Sequence, residues 1–157
     1  MRLRVDLASQ TLTLERDGRP LEVYTVSTSK HGAGETLGSF KTPRGRHVVR
    51  AKIGAGAPVN AVFRGRRPTG EIYSAELARS HPGRDWILTR ILWLSGTEIG
   101  RNRLGAVDTM RRYIYIHGTP DSEQLGSPGS IGCIRMANRD IVELFELVAA
   151  GTVVDIG

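Results

Sequence analysis

The sequence has very little cysteine and no long apolar run. Its 157 residues include one cysteine, Cys133, which excludes an intrachain disulfide. A membrane-spanning helix needs roughly 18 consecutive apolar residues. The most apolar segment, residues 86–94, is much shorter and is interrupted by Thr89 and Arg90. We therefore expect neither a disulfide-stabilised domain nor a membrane span.

Acidic residues are outnumbered by basic ones, 16 to 22, which gives a net charge of +6. The basic residues occur in ones and twos, as in Arg66-Arg67 and Arg111-Arg112, and no RRM-, KH- or zinc-finger-like pattern surrounds them. Scattered charge of this kind mainly keeps a protein soluble. We interpret it as a solvated basic surface and expect no nucleic-acid partner.

The N-terminus starts like a secretory leader but does not continue as one. Arg2 and Arg4 are basic, yet polar residues between Asp6 and Glu15 leave no apolar segment behind them. We therefore expect the chain in the cytoplasm. If a leader was removed, the expected location is the periplasm.

Local patterns predict a mainly β protein. β-forming residues with a period of two predict an opening hairpin around Asp17-Gly18. Further strands are predicted over residues 47–53, 86–94, 113–117 and 152–156. Segments rich in glycine, proline and polar residues predict irregular structure over 29–46, 54–58, 65–83 and 96–105.

Only the C-terminal region has helical spacing. Ile141, Leu144, Phe145 and Val148 form one apolar stripe, with Asn138 expected as the N-cap and Gly151 expected to end the helix. Many short strands and one helix favour a β-sandwich-like or barrel-like architecture over alternating βαβ units. We expect a single domain over residues 1–157.

The chemistry points to the only thiol and a nearby histidine. His117 ends the strand over 113–117, and Cys133 follows 16 positions later. A free thiol is mostly protonated at neutral pH, so a nucleophilic cysteine needs a base, for which histidine is the usual choice. His117 and Cys133 are therefore candidates for a catalytic dyad.

Residues around the pair are candidates for supporting roles. Gly132 leaves room for its N–H and that of Cys133 to face a developing oxyanion. Ser130 could hydrogen-bond the histidine or the substrate, and Arg135 could hold a substrate carboxylate or form a structural ion pair. The period of two places Tyr115 on the face of His117, where it could line the site.

These motifs resemble the signature of the YkuD-type L,D-transpeptidase domain. That signature is a His-Gly-Thr/Ser step followed by Ser-x-Gly-Cys-x-Arg/Asn, and it stands here as His117-Gly118-Thr119 and Ser130-Ile131-Gly132-Cys133-Ile134-Arg135. The likeness extends over nearly the whole chain, including Lys41-Thr42-Pro43 and the closing helix. Many members have a second histidine where this sequence has Ile131, and we expect that change to tune activity rather than abolish it.

The resemblance implies a β-sandwich-like catalytic domain that acts on murein tetrapeptide stems without a cofactor. Cys133 would attack the carbonyl before the terminal D-alanine, release D-alanine and leave a thioester, with His117 as the base. Gly118 and Ser130 would help to orient the histidine. Acylation of the thiol by carbapenems is also implied.

The acceptor of the thioester decides the activity. Water would give an L,D-carboxypeptidase of murein recycling, which we favour because no leader is visible, whereas an amine would give a periplasmic transpeptidase. A basic module that binds cell wall or nucleic acid without catalysis is an alternative of another class. A zinc site combining Cys133 with His31, His47, His81 or His117 is disfavoured, because no CxxC or HxxxH pair fixes the ligand geometry.

Overall fold

The computed structural model describes residues 1–157 and contains ten strands and two short α-helices. The strands are β1 (Arg2–Asp6), β2 (Thr11–Arg16), β3 (Arg19–Ser27), β4 (Gly45–Ile53), β5 (Ala61–Arg64), β6 (Arg67–Ile72), β7 (Ile87–Gly96), β8 (Tyr115–Thr119), β9 (Ile134–Ala137) and β10 (Val153–Ile156). The helices are α1 (Ala75–Ser80) and α2 (Asn138–Leu147), and Gly105–Val107 form a 3₁₀ turn. Neither helix has the length and apolar character needed to cross a bilayer.

All ten strands belong to one sheet with the order β4-β10-β1-β2-β3-β9-β8-β7-β5-β6. An additional pairing between β4 and β7 closes the sheet on itself as a ring of eight strands, and the β5–β6 hairpin lies outside this ring along the start of β7. Only β1–β10 and β8–β9 are parallel pairs. The prediction of a mainly β, sandwich-like fold is confirmed.

The alternation of apolar residues builds the core. Leu3, Val5, Leu12 and Leu14 of the first two strands face inward and are almost fully buried. The apolar stripe of α2 packs against β7, β8 and β9 and joins the same cluster. The helix therefore supports, from behind, strand β8, which contains His117, and strand β9, which directly follows Cys133.

The prediction of irregular structure over residues 65–83 is wrong. This segment contains the turn between β5 and β6, all of strand β6 and all of helix α1. Strand β6 is an edge strand of mostly exposed residues, so it has no buried face to produce a period of two. Helix α1 buries no residue and therefore shows no apolar stripe. Its start is fixed by Ser74, whose side chain accepts a hydrogen bond from the Leu77 N–H at 3.0 Å.

Two predicted boundaries also differ. Strand β8 starts at Tyr115 because Tyr113, with φ 56°, lies in the preceding turn. Helix α2 starts at Asn138 but uses no side-chain cap, and it ends at Leu147 rather than near Gly151. The prediction that Asn138 caps this helix is wrong, because its side chain is buried and bonded to β7 and to Asn60.

Candidate active site

The single thiol and His117 lie on neighbouring strands of the ring. Strands β8 and β9 are parallel, with Ile116 opposite Ile134 and His117 opposite Arg135. Cys133 directly precedes β9 and so lies beside Tyr115. Because side chains alternate along a strand, Cys133 and His117 occupy the same face of these two strands, away from the isoleucines in the core.

The thiol is held by the backbone of the β8 region. The Tyr115 N–H donates to Cys133 Sγ at 3.3 Å, and Sγ–H donates to the Tyr113 carbonyl at 3.4 Å. No hydrogen bond joins Sγ to His117 in this arrangement. Burial raises the pKa of Cys133 to about 12, although the Tyr115 N–H opposes the shift. The resting thiol is therefore protonated.

His117 is fully buried and has a defined tautomer. Its Nδ1 lies 2.6 Å from the Gly118 carbonyl oxygen, which can only accept, so the ring proton is on Nδ1. Nε2 is consequently a bare acceptor, and it is buried without a hydrogen-bond partner. Burial lowers the pKa of His117. The geometry thus gives a neutral imidazole with its basic nitrogen unoccupied.

Gly118 is packed too tightly for any other residue. A Cβ at this position would lie 2.3 Å from Asn138 Oδ1 and 2.6 Å from the Leu88 carbonyl oxygen. The carbonyl that orients His117 is therefore fixed by β7 and by the start of α2.

The loop before Cys133 is tied down by Ser130. Its Oγ donates to the Cys133 carbonyl at 2.6 Å and accepts from the Gly132 N–H at 3.2 Å. The Gly132 carbonyl accepts from Thr42 Oγ1 at 2.9 Å, and the φ of 133° at Gly132 favours glycine. The expected hydrogen bond from Ser130 to His117 is not formed. Since the Gly132 N–H is also engaged, the Cys133 N–H is the donor left free at this position.

Arg135 forms ion pairs in this structure. Its guanidinium lies 2.9 Å from Asp85 Oδ1 and 3.6 Å from Glu123 Oε2, and it donates to the Gly129 carbonyl at 3.1 Å. Its side chain is only 13% exposed. Of the two roles considered for Arg135, the structural ion pair matches these contacts, and none of its hydrogen bonds is made to the thiol.

A cavity of about 450 Å³ opens over the thiol, with Cys133, Tyr115, Asp85 and Phe40 among its lining residues. Arg66 and Arg112 line it as well. Both are partly exposed, so the interpretation as a solvated surface applies to them only in part, and it does not include their position over the thiol. No local sequence pattern distinguishes these two arginines from the other paired basic residues.

Metal ligands do not converge here or elsewhere in the chain. No group of three or more His, Cys, Asp or Glu side chains is placed to hold an ion. His47 is buried and bonded to the Gly45 carbonyl and to Thr109 Oγ1, while His31 and His81 lie at the surface. The zinc alternative has no support in the structure.

A thiol that lines an open cavity, with a neutral imidazole on the neighbouring strand, supplies the two groups that cysteine-dependent acyl-transfer enzymes use. Residues 1–156 match the model of the YkuD family, the L,D-transpeptidase catalytic domain, and the chain belongs to this family.

Relatives and solved structures agree with this family. YkuD of Bacillus subtilis (strain 168) is 24% identical over 154 residues, which are 98% of this chain and 64% of that protein. YkuD of Bacillus licheniformis is 28% identical over 99% of this chain and 64% of that protein. The chain thus spans less than two thirds of these relatives.

The structure of L,D-transpeptidase 3 from Mycobacterium tuberculosis is similar with a TM-score of 0.60 and 17% identity, over 99% of this chain and 60% of that one. A second structure of that protein, in complex with a faropenem-derived adduct, has a TM-score of 0.59 and 16% identity, over 98% of this chain and 58% of that one. At these identities the likeness establishes the fold.

Proposed function

We propose that the chain catalyses cysteine-dependent acyl transfer on murein tetrapeptide stems, breaking the L,D bond before the terminal D-alanine through a thioester on Cys133. The observation that carries the proposal concerns Nε2 of His117. This atom is buried without a hydrogen-bond partner, and His117 lies on the same face of the β8–β9 pair as the only thiol. A neutral histidine with an unoccupied nitrogen is a competent general base. Membership of the YkuD family supports the substrate class.

In this mechanism the thiol first exchanges its contacts. Sγ–H leaves the Tyr113 carbonyl and donates to His117 Nε2. As the Sγ–C bond forms, the proton passes to Nε2, and the Cys133 N–H donates to the carbonyl oxygen that becomes the oxyanion. The imidazolium then returns the proton to the leaving amine of D-alanine as the C–N bond breaks, which leaves the thioester and a neutral histidine.

The pKa shifts indicate that the proton moves from Cys133 to His117 during attack on the bound substrate, and not before the substrate binds. Burial raises the pKa of Cys133 and lowers that of His117, so a thiolate–imidazolium pair is disfavoured before the substrate arrives. A carbonyl placed over Sγ removes the need for a free thiolate, because the developing charge moves to an oxygen that accepts a hydrogen bond.

Two acceptors can resolve the thioester. Water gives a tripeptide, and an amine of a second stem gives a cross-link. The expectation of hydrolysis in a cytoplasmic recycling route stays a prediction. We also propose that Cys133 is acylated by carbapenems, which share the β-lactam ring of faropenem, the source of the adduct in the M. tuberculosis structure.

The test is product analysis with the purified chain. Murein tetrapeptide is incubated with wild type, Cys133→Ala and His117→Gln, with and without a D-amino acid as acceptor, and the products are read by mass spectrometry. Tripeptide plus D-alanine from wild type alone would establish hydrolysis, and D-amino-acid exchange or dimers would establish transpeptidation. Equal turnover by Cys133→Ala would contradict the dyad.

The same variant separates catalysis from simple binding. The non-catalytic binding module is the better description if three results are found together. No stem peptide is turned over, wild type and Cys133→Ala bind cell wall equally, and high salt abolishes the binding of both.

A further inference from the structure

We propose that Arg66 and Arg112 form a carboxylate-recognition site in the cavity over Cys133, which selects donor peptides whose internal carboxylates are free. The inference rests on the proposed function and adds a specificity to it. A murein stem carries a carboxylate on its second residue, and on its third when that residue is diaminopimelate, unless these groups are amidated. Guanidinium groups recognise carboxylates with paired, charge-assisted hydrogen bonds.

Arg66 is held in place without a carboxylate. It lies at the turn of the β5–β6 hairpin, and its guanidinium carbon is 4.5 Å from the Trp93 ring centroid and 4.7 Å from that of Tyr113. Its Nη1 donates to Tyr115 Oη at 3.0 Å. Stacking and one neutral hydrogen bond fix the plane of the group, while its charge and remaining donors stay available to a ligand.

Arg112 is a second cation with no acidic partner. Its Nη1 donates to the Gly34 carbonyl at 3.1 Å, and its Nη2 donates to the Lys41 carbonyl and to Ser39 Oγ at 3.4 Å. Burial lowers the pKa of Arg112; the charge of Glu35 opposes this shift, but no carboxylate forms an ion pair with Arg112. A bound anion would provide the missing compensation.

The carboxylates near the cavity form their ion pairs with other arginines. Asp85 is the acidic residue in the lining, and its carboxylate is already bonded to Arg135 at 2.9 Å. Glu35, whose charge raises the pKa of Arg112, forms its ion pair with Arg44 at 3.1 Å. The cavity therefore presents two cationic groups to an incoming peptide.

The two arginines are coupled to the thiol through the β8 region. Tyr113 contributes its ring to Arg66 and its carbonyl to Cys133 Sγ, and Tyr115 contributes its hydroxyl and its N–H to the same two groups. Arg112 directly precedes Tyr113. A carboxylate bound by these arginines consequently lies within a few residues of the scissile bond, which is where the internal carboxylates of a stem peptide lie.

The experiment compares two tetrapeptides that differ only in their internal carboxylates, which are free in one and amidated in the other. The expected wild-type kcat/KM is at least about tenfold higher for the free peptide, since a hydrogen bond to a charged group carries roughly that discrimination. Arg66→Gln and Arg112→Gln each move this ratio toward one, mainly through KM. Arg64→Gln on the same hairpin and Arg111→Gln beside Arg112, both exposed, keep the wild-type ratio.

A ratio near one in wild type, or an unchanged ratio in both glutamine variants, would overturn the proposal. Both kcat/KM values of the ratio are measured with the same variant. A smaller fraction of folded protein lowers both values equally and leaves the ratio unchanged. Calorimetric binding of both peptides to Cys133→Ala separates the two hypotheses. Tighter binding of the free peptide without turnover by wild type would keep the arginine site and refute the proposed catalysis, while turnover without discrimination would do the reverse.

Discussion

The thiol of Cys133 and the imidazole of His117 are both neutral in the resting molecule, and the same cause acts on each. Burial penalises the charged form, which raises the pKa of the thiol and lowers that of the imidazole. The hydrogen bond from His117 Nδ1 to the Gly118 carbonyl then leaves one basic nitrogen for chemistry. Reactivity in this arrangement depends on the substrate rather than on a preformed thiolate.

This protonation state predicts the reactivity of the free thiol. With a pKa of about 12 for Cys133, iodoacetamide alkylation should rise about tenfold per pH unit from pH 7 to pH 10 without levelling off. The adduct is quantified by mass spectrometry after short exposures. The urea-unfolded chain is the control, because its thiol should level off above a pH of about 9. A plateau already reached below pH 7 in the folded protein would show a thiolate–imidazolium pair instead.

The candidate active site depends on an irregularity in strand β7. Its register shifts between Leu88 and Ile91, where Thr89 has a φ of 76°, unusual for a β-branched residue. Thr89 Oγ1 donates to Asn138 Oδ1 at 2.7 Å, and Asn138 Nδ2 donates to Asn60 Oδ1 at 2.9 Å. This buried network joins β7 to α2 directly behind Gly118, the residue that orients His117.

Replacing Asn138 with aspartate distinguishes this role from helix capping. A cap would tolerate Asn138→Asp, since aspartate and asparagine cap equally well. In the network the change buries a carboxylate among neutral groups and removes the donor to Asn60, so we expect a loss of about 2 kcal/mol in the free energy of unfolding at pH 7. Urea denaturation measures it. Arg139→Gln, a change of the next residue, which is exposed, serves as the control. If Asn138→Asp leaves the free energy of unfolding unchanged or raises it, the capping role is favoured.

The same network shows which features the sequence could predict. Strands with one buried face, such as β1 and β2, reveal themselves through alternation. Strand β8 is buried throughout, and His117 lies at its centre rather than at its predicted end. Strand β6 and helix α1 bury almost nothing, so no apolar pattern marks them. The contacts of Asn138, Arg66 and Arg135 join residues many positions apart, and local spacing does not encode such pairings.

For the molecule as a whole, the closure of the sheet depends on β4. This strand pairs with β10 on one side and β7 on the other, and His47 sits where both partners meet it, opposite Val154 and Gly96. The imidazole is fully buried, donates from Nδ1 to the Gly45 carbonyl at 3.0 Å and accepts from Thr109 Oγ1 at 2.9 Å. A neutral histidine therefore stands at the closure of the ring.

Burial lowers the pKa of His47 to about 4, which makes the stability of the whole fold depend on pH. The unfolded chain binds a proton at this residue below its ordinary pKa of about 6.5, whereas the folded chain does not until pH 4 is approached. The stability contribution is thus complete above pH 6.5 and is lost as the pH falls toward 4. Between pH 7.5 and 5.0 the expected loss is about 2 kcal/mol for this residue.

Urea denaturation of wild type and His47→Gln at the two pH values isolates this contribution. The variant is expected to be less stable at both, yet its loss between pH 7.5 and 5.0 should be smaller than that of wild type by about 2 kcal/mol, because the glutamine does not titrate. His31→Gln changes an exposed histidine and should keep the wild-type difference. An identical pH-dependent loss in His47→Gln and wild type would mean that acid sensitivity arises elsewhere, with the buried His117 as the next residue to replace.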